Sequence, residues 1–174
     1  MTRFIGWLKE RLHNHEGITT IEIAISAMII LVGLAGFVDM VNMSQKLDTA
    51  SSVNGYVGRV VANQGGVRAA PTAQHDANYV SSTQLYREVQ TTLANGGIAE
   101  KDFVLKVSGK AVKPGTNIPL QEFGTRIPIE LTINYEWTLM GNLLPGNIQS
   151  KKTSNRIVVS SFKVRKDSIS TTFN

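Results

Sequence analysis

Cysteine is absent from this chain of 174 residues, and histidine, aromatic residues and charge are all sparse. Without cysteine there is no disulfide scaffold, no thiolate metal site and no cysteine nucleophile. The three histidines, His13, His15 and His75, form no pattern typical of a metal site or a catalytic triad. Charged residues make up only 18% of the chain and aromatic residues 7%. We therefore expect a protein that is not an enzyme, with no catalytic residues, no metal and no cofactor.

The positive charge of the chain is concentrated near its C-terminus. Six of the seven charged residues in 151–174 are basic, which accounts for the whole net charge of +5. A nucleic-acid surface needs basic residues accompanied by stacking aromatics, or a recognised binding module. Only Phe162 and Phe173 accompany these charges, which alternate with apolar positions. We interpret the segment as the solvated face of a strand and expect no nucleic acid among the partners.

A long apolar run occupies residues 18–38 and reads ITTIEIAISAMIILVGLAGFV. It holds one charged residue, Glu22, and as a helix it would be about 31 Å long, enough to cross a bilayer. A short segment of net positive charge precedes the run, and Asp39 follows it. By the positive-inside rule, residues 1–17 face the cytoplasm and the remainder is exported. The run predicts a single-pass membrane protein.

Three interpretations of this segment are open. A cleaved secretory signal has a shorter apolar core and small residues before the cut, whereas the only downstream candidate is residues 47–50, LDTA. A plain membrane anchor explains the length but not Glu22, because an acidic residue inside an apolar span is costly and usually functional. In the third interpretation a polar leader ends at Gly17, the cut lies before the apolar run, and the run survives as a permanent helix.

The order of these features resembles a known family. Residues 17–22, GITTIE, followed by IAISAMIILVGLAGFVD, resemble the leader and first helix of type IV pilins, and more closely the TadE-like pseudopilins of tight-adherence pilus systems. The segment SQKLDTASSVNGYVGRVVANQGG is similar to that family's next helix, with Arg59 as the matching basic residue. IPIELTINYEWTLMGNLLPG and NRIVVSSFKVRKD resemble its paired strands around a Leu-Pro loop.

The resemblance implies a function, a set of partners and a set of site residues. A prepilin peptidase would cleave between Gly17 and Ile18, and Glu22 would pair with the free amine of Ile18 on a neighbouring subunit. Asp39 and Arg59 fill two further family positions and are expected to contribute to assembly. The protein would be a structural subunit or minor pseudopilin of a type IV pilus, secretion or conjugation apparatus in a bacterial inner membrane. Its partners would be other pilin-like subunits, in a homo- or hetero-oligomer.

A second class of function stays open at this point. The chain could be an uncleaved, single-pass accessory protein whose extracytoplasmic domain binds a partner. Cleavage after Gly17 separates the two classes, because only the pilin-like subunit loses its leader.

Hydrophobic periodicity predicts an α+β fold for the exported part. Apolar residues past Asp39 recur in steps of three and four, which extends the helix to Gln64, before two glycines. We expect four segments: a leader at 1–17, a long helix at 18–64 of which 18–38 spans the membrane, a linker at 65–80, and a head at 81–174.

Within the head, the sequence predicts a short helix at 82–94 and a strand at 103–107. Strict alternation of apolar and polar residues predicts an antiparallel strand at 127–139, a loop at 140–151 and a last strand at 152–165. The apolar face of the strand at 127–139 is expected to pack on the helix at 82–94, on the exported half of the long helix, or on both.

Overall fold

The computed structural model describes residues 15–72, 78–143 and 149–163, and for residues 15–18 the backbone alone. The first element, α1, is one continuous helix over His15–Gln64. It ends at the predicted glycine pair, where Gly65 adopts a φ of 71°. This left-handed conformation suits glycine and commonly follows the last turn of a helix. Most of the predicted leader, His75 and residues 164–174 of the basic C-terminal segment lie outside the described residues.

The chain divides into two compact units. One comprises residues 1–42 with 136–148, and we call it the helix–loop unit; the other comprises residues 43–135 with 149–174, and we call it the head. The helix α1 supplies residues to both. Together the long helix and the head with its short helix and antiparallel sheet make the α+β fold that the sequence predicts.

The short helix of the head, α2, covers Ser82–Asn95 and matches the prediction closely. Its N-cap is Ser81, whose hydroxyl accepts a hydrogen bond from the N–H of Gln84 at 3.2 Å. Such a bond satisfies one of the N–H groups left unpaired at the start of a helix. At the other end, the N–H of Gly97 donates to the carbonyl of Ala94 at 2.9 Å, within an Asn-Gly-Gly sequence.

Within the described residues, the sheet has four antiparallel strands: β1 at Phe103–Val107, β2 at Lys110–Ala111, β3 at Arg126–Glu136 and β4 at Gln149–Val159. Their order across the sheet is β2-β1-β3-β4. The register of β1 on β3 places Leu105 opposite Leu131 and Phe103 opposite Ile133. Because side chains alternate between the faces of a strand, these pairs lie on one face.

Among the described residues, one hydrophobic core joins α1 and α2 to this face of the sheet. The prediction that the apolar face of β3 packs against α2, the later half of α1, or both is therefore confirmed, and both contribute. The core residues from these three elements are Ala50, Val53, Val57 and Val61 of α1, Leu85, Val89 and Leu93 of α2, and Ile127, Ile129, Leu131 and Ile133 of β3.

The strand predicted at 127–139 ends earlier, and that part of the prediction is wrong. β3 stops at Glu136, and Thr138–Leu143 forms a short helix, α3, where the strand's last residues and the start of a loop were expected. The N–H of Gly141 donates to the carbonyl of Trp137 at 2.8 Å, which is a helical rather than a ladder bond. The N–H groups of the two preceding residues, Leu139 and Met140, bind a carboxylate of α1, as described below.

The last strand also differs from its predicted range of 152–165. β4 starts at Gln149 and ends at Val159. Beyond it, the N–H of Ser161 donates to the carbonyl of Ala62 at 2.8 Å. The final carbonyls of a helix lack partners within the helix. The chain therefore leaves the sheet because its backbone pairs with the C-terminal end of α1.

Candidate functional site

The N-terminal part of α1 exposes apolar side chains. Every side chain from Thr19 to Leu34 is exposed apart from the half-buried Val32, and Phe37 remains 66% exposed. Within the described residues, α1 is the one helix long and apolar enough to cross a membrane. A helix that is apolar on all sides is unfavourable in water, and it requires lipid or another protein around it. This part of the chain is compatible with membrane anchoring.

The predicted cleavage site and Glu22 lie near the start of α1. Gly17 and Ile18 have helical backbone, since α1 begins two residues before the glycine. Glu22 is exposed within the apolar part of the helix. Residues of a helix that are five apart lie about 7.5 Å from each other along the axis. The carboxylate is thus about one and a half turns from the Gly17–Ile18 bond.

Asp39 is buried, and its partners come from α3. The residue is only 6% exposed. Its Oδ2 accepts a hydrogen bond from the N–H of Met140 at 2.8 Å, and its Oδ1 accepts one from the N–H of Leu139 at 3.2 Å. Both donors are in the first turn of α3, where N–H groups lack partners within the helix. Asp39 therefore caps α3 from a position about 100 residues earlier in the chain.

A small residue of α1, Gly36, faces Met140 of α3. A Cβ added to Gly36 would meet Sδ of Met140 at 3.5 Å, which is ordinary van der Waals contact. Ala35, the preceding residue, is 8% exposed. Close approach of two helices is favoured where one of them carries small side chains. The helix–loop unit thus combines a carboxylate cap with an ordinary van der Waals approach of Met140 to α1 about one turn away.

Arg59 lies in the head, on an exposed position of α1. Nearby, the hydroxyl of Tyr56 donates a short hydrogen bond to Oε2 of Glu88 on α2. Burial is the largest cause that raises the pKa of Tyr56 to about 12, followed by the hydrogen bond and charge of Glu88. The positive charge of Arg59 acts in the opposite direction. This cluster joins the two helices of the head.

The predicted assembly residues Glu22 and Asp39 do not meet in one site. Glu22 and Asp39 are 17 residues apart on α1, about 26 Å along its axis, and Arg59 belongs to the head. Sequence reasoning missed the partners of Asp39, since Leu139 and Met140 contribute backbone groups. Every residue except proline has a backbone N–H, so nothing in the sequence identified these two as the partners of Asp39.

Comparison with known proteins adds no family to these observations: no protein-family model, curated protein or solved structure matches the chain. Across residues 15–72, 78–143 and 149–163 there is also no group of three acidic or histidine side chains arranged to hold a metal ion. The functional argument therefore depends on α1, Glu22 and the capped helix α3.

Proposed function

We propose that the protein is a pilin-like structural subunit or minor pseudopilin of a type IV, tight-adherence-type pilus, secretion or conjugation apparatus. The observation that supports this proposal most is α1. Its first part carries exposed apolar side chains, while its later part, from Ala50 to Val61, lies in the core of an α+β head. In this proposal α1 holds the subunit in a bacterial inner membrane, with the N-terminus in the cytoplasm, until the subunit enters an assembly.

In such an assembly, Glu22 forms an ion pair with a neighbouring subunit. An unpaired carboxylate inside a membrane span costs a few kcal/mol. Cleavage of the Gly17–Ile18 bond creates a positively charged amine on Ile18. When subunits pack side by side, that amine on one subunit pairs with Glu22 on its neighbour. The pairing offsets the cost of the buried carboxylate only in the assembled state, and it therefore favours assembly.

Intact-mass measurement of the membrane-extracted protein tests the proposal. In cells with an active prepilin peptidase, we expect a chain of 157 residues (174 minus 17) that starts at Ile18. A Gly17→Leu variant is the control and should keep its full length. Recovery of only full-length wild-type chain would contradict the proposal.

A second measurement tests the role of Glu22. The Glu22→Ala variant should insert in the membrane and lose its leader, yet fail to enter filaments or larger complexes. Ser26→Ala, one turn further along the same exposed part of α1, should assemble normally. If Glu22→Ala also assembles normally, the carboxylate has no part in subunit pairing.

One observation favours the alternative of an uncleaved, single-pass accessory protein. The helical backbone of α1 runs without a break from His15 through Gly17 and Ile18. A peptidase must unwind such a segment before it can act on the peptide bond. In this alternative the full-length mass is retained and the head binds its partner from a permanent anchor.

A further inference from the structure

The helix–loop unit contains a second apolar segment besides α1. No charged residue occurs between Glu136 and Lys151, and the described part of this stretch includes the half-buried Trp137 and α3. Leu139 is 39% exposed and Leu143 is 46% exposed. Connections between strands are usually rich in polar turn residues. This one instead presents large apolar side chains at the surface of the same unit that holds the apolar part of α1.

The position of α3 along α1 is fixed by two contacts. Asp39 binds its first turn, and Gly36 lies against Met140. Gly36 is three residues closer to the N-terminus than Asp39, which is about 4.5 Å along the axis. Ala35 is the one buried apolar side chain among residues 19–38. The helix α3 therefore lies beside the last turn of the predicted span, not beyond its end.

The cap also changes how the charge of Asp39 is interpreted. Asp39 is the only charged residue between Ile23 and Gln45. Two backbone N–H groups at the start of a helix stabilise a carboxylate by charge-assisted hydrogen bonds and by the helix dipole. Past it, Met40 is 64% exposed and Val41 is 41% exposed, so the apolar surface of α1 continues. A shielded Asp39 does not require the membrane surface to lie at that residue.

We propose that α3 and the adjoining Trp137 form a second membrane-contacting element, which lies in the interfacial layer of the lipid bilayer beside the end of the span. This inference rests on the proposed function, because it requires α1 to be in the membrane. The interfacial layer is about 5–10 Å deep, so an element that reaches one turn below Asp39 fits within it. Tryptophan is enriched in this layer because its ring is apolar and its N–H is polar. Asp39 is the positioning residue that holds α3 at this depth.

Site-directed spin labelling of the full chain tests the proposal, and the lack of native cysteine makes each introduced cysteine unique. Nitroxide labels are placed at Leu143→Cys, Leu31→Cys and Val104→Cys, in vesicles of phosphatidylcholine and phosphatidylglycerol. Val104 of the head is 44% exposed, which matches Leu143, and Leu31 lies in the apolar part of α1. Collisions with molecular oxygen report lipid contact, and collisions with a neutral nickel(II) chelate report water contact.

We expect the label at Leu143 to collide more with oxygen and less with the chelate than the label at Val104. Equal behaviour at Leu143 and Val104 would overturn the proposal. Protection of Leu143 from both reagents would also overturn it, since a neighbouring protein subunit would then cover α3. If Leu31 behaves as Val104 does, membrane anchoring itself fails; if Leu31 is in lipid and Leu143 in water, only the present inference fails.

The role of Asp39 is tested in the same system. With Asp39→Ala, the label at Leu143 should lose oxygen collisions and gain chelate collisions, while the label at Leu31 is unchanged. Asp48→Ala removes an exposed carboxylate of the same helix and should leave both labels as they were. A Leu143 label that stays in lipid after Asp39→Ala would show that the cap does not position α3.

Discussion

The side-chain nitrogen of Asn54 donates hydrogen bonds to both the carbonyl oxygen and the hydroxyl of Ser154, each at 2.9 Å. Asn54 lies on α1 and Ser154 on β4, 100 positions later. The side-chain oxygen of Asn54 is buried and finds no hydrogen-bond partner among the described residues. The two donated bonds therefore hold the first helix of the head against its last strand.

Replacement of this asparagine should destabilise the head. Asn54→Ala removes both donated bonds and leaves the carbonyl of Ser154 in a part-buried place, which costs about 1–3 kcal/mol. The higher helix propensity of alanine offsets about 0.5 kcal/mol of this loss of stability. Pulse proteolysis in urea, with the full chain in detergent, should show the lower stability. Ser52→Ala, on an exposed position of the same helix, is the control. An equal loss of stability in both variants would show that the hydrogen bonds from Asn54 to Ser154 do not stabilise the head.

Gly65 should be intolerant of a side chain for two separable reasons. Its φ is 71°, and a Cβ there would lie 2.8 Å from the carbonyl oxygen of Gln121 and 2.8 Å from Cβ of Phe162. Gly109 has a similar φ of 76° but open space around it. Gly65→Ala should therefore lower the thermal midpoint of the head more than Gly109→Ala does. Because both glycines have a positive φ, the difference between the two midpoints reports only the crowding around Gly65. Equal midpoints would mean that Gln121 and Phe162 can move aside.

The two faces of β3 should respond differently to the same charge. Ile133 is 1% exposed, whereas its neighbour Asn134 is exposed. Ile133→Asp places a carboxylate in the core, at a cost of several kcal/mol, comparable with the whole stability of a small domain. We expect this variant to be unfolded by circular dichroism and protease sensitivity, and Asn134→Asp to be folded. A folded Ile133→Asp would show that the core is not continuous at this position.

The stability of the head should fall at high pH through Tyr56. Burial, and then Glu88, raise the pKa of its hydroxyl from 10 to about 12, so the unfolded chain releases this proton more readily than the folded one. The resulting stabilisation is complete below pH 10 and is lost as the pH rises towards 12. Urea titrations across this range should show a shallower decline for Tyr56→Phe. An unchanged slope would mean that other groups cause the decline.

Local signals in the sequence predicted most of the fold. Ser81 fixes the start of α2, Gly65 the end of α1, and the alternation around Leu131 the buried face of β3, and each signal lies within a few residues of its effect. Because these signals are local, the hydrophobic pattern of the sequence was enough to predict the α+β class and the packing of β3 on the helices.

The capped helix α3 could not be predicted in this way. Continued alternation at Trp137 and Leu139 favours a strand, whereas the deciding contact is the carboxylate of Asp39, about 100 positions away. In the sequence, Asp39 therefore resembled the end of a membrane span. Its hydrogen-bond donors are backbone N–H groups, which do not depend on the type of the partner residue, so the sequence does not reveal them.

The shared core imposes an order of events during synthesis. The apolar face of α1 from Ala50 to Val61 leaves the ribosome well before β3, and Asn54 before Ser154 by 100 residues. At a translation rate of about 5–20 residues per second, Ser154 is synthesised roughly 5–20 s after Asn54. The partners of this apolar face are therefore still missing while the strands of the head are being made. Until β3 has been made, that face lacks the cover that it has in the finished molecule.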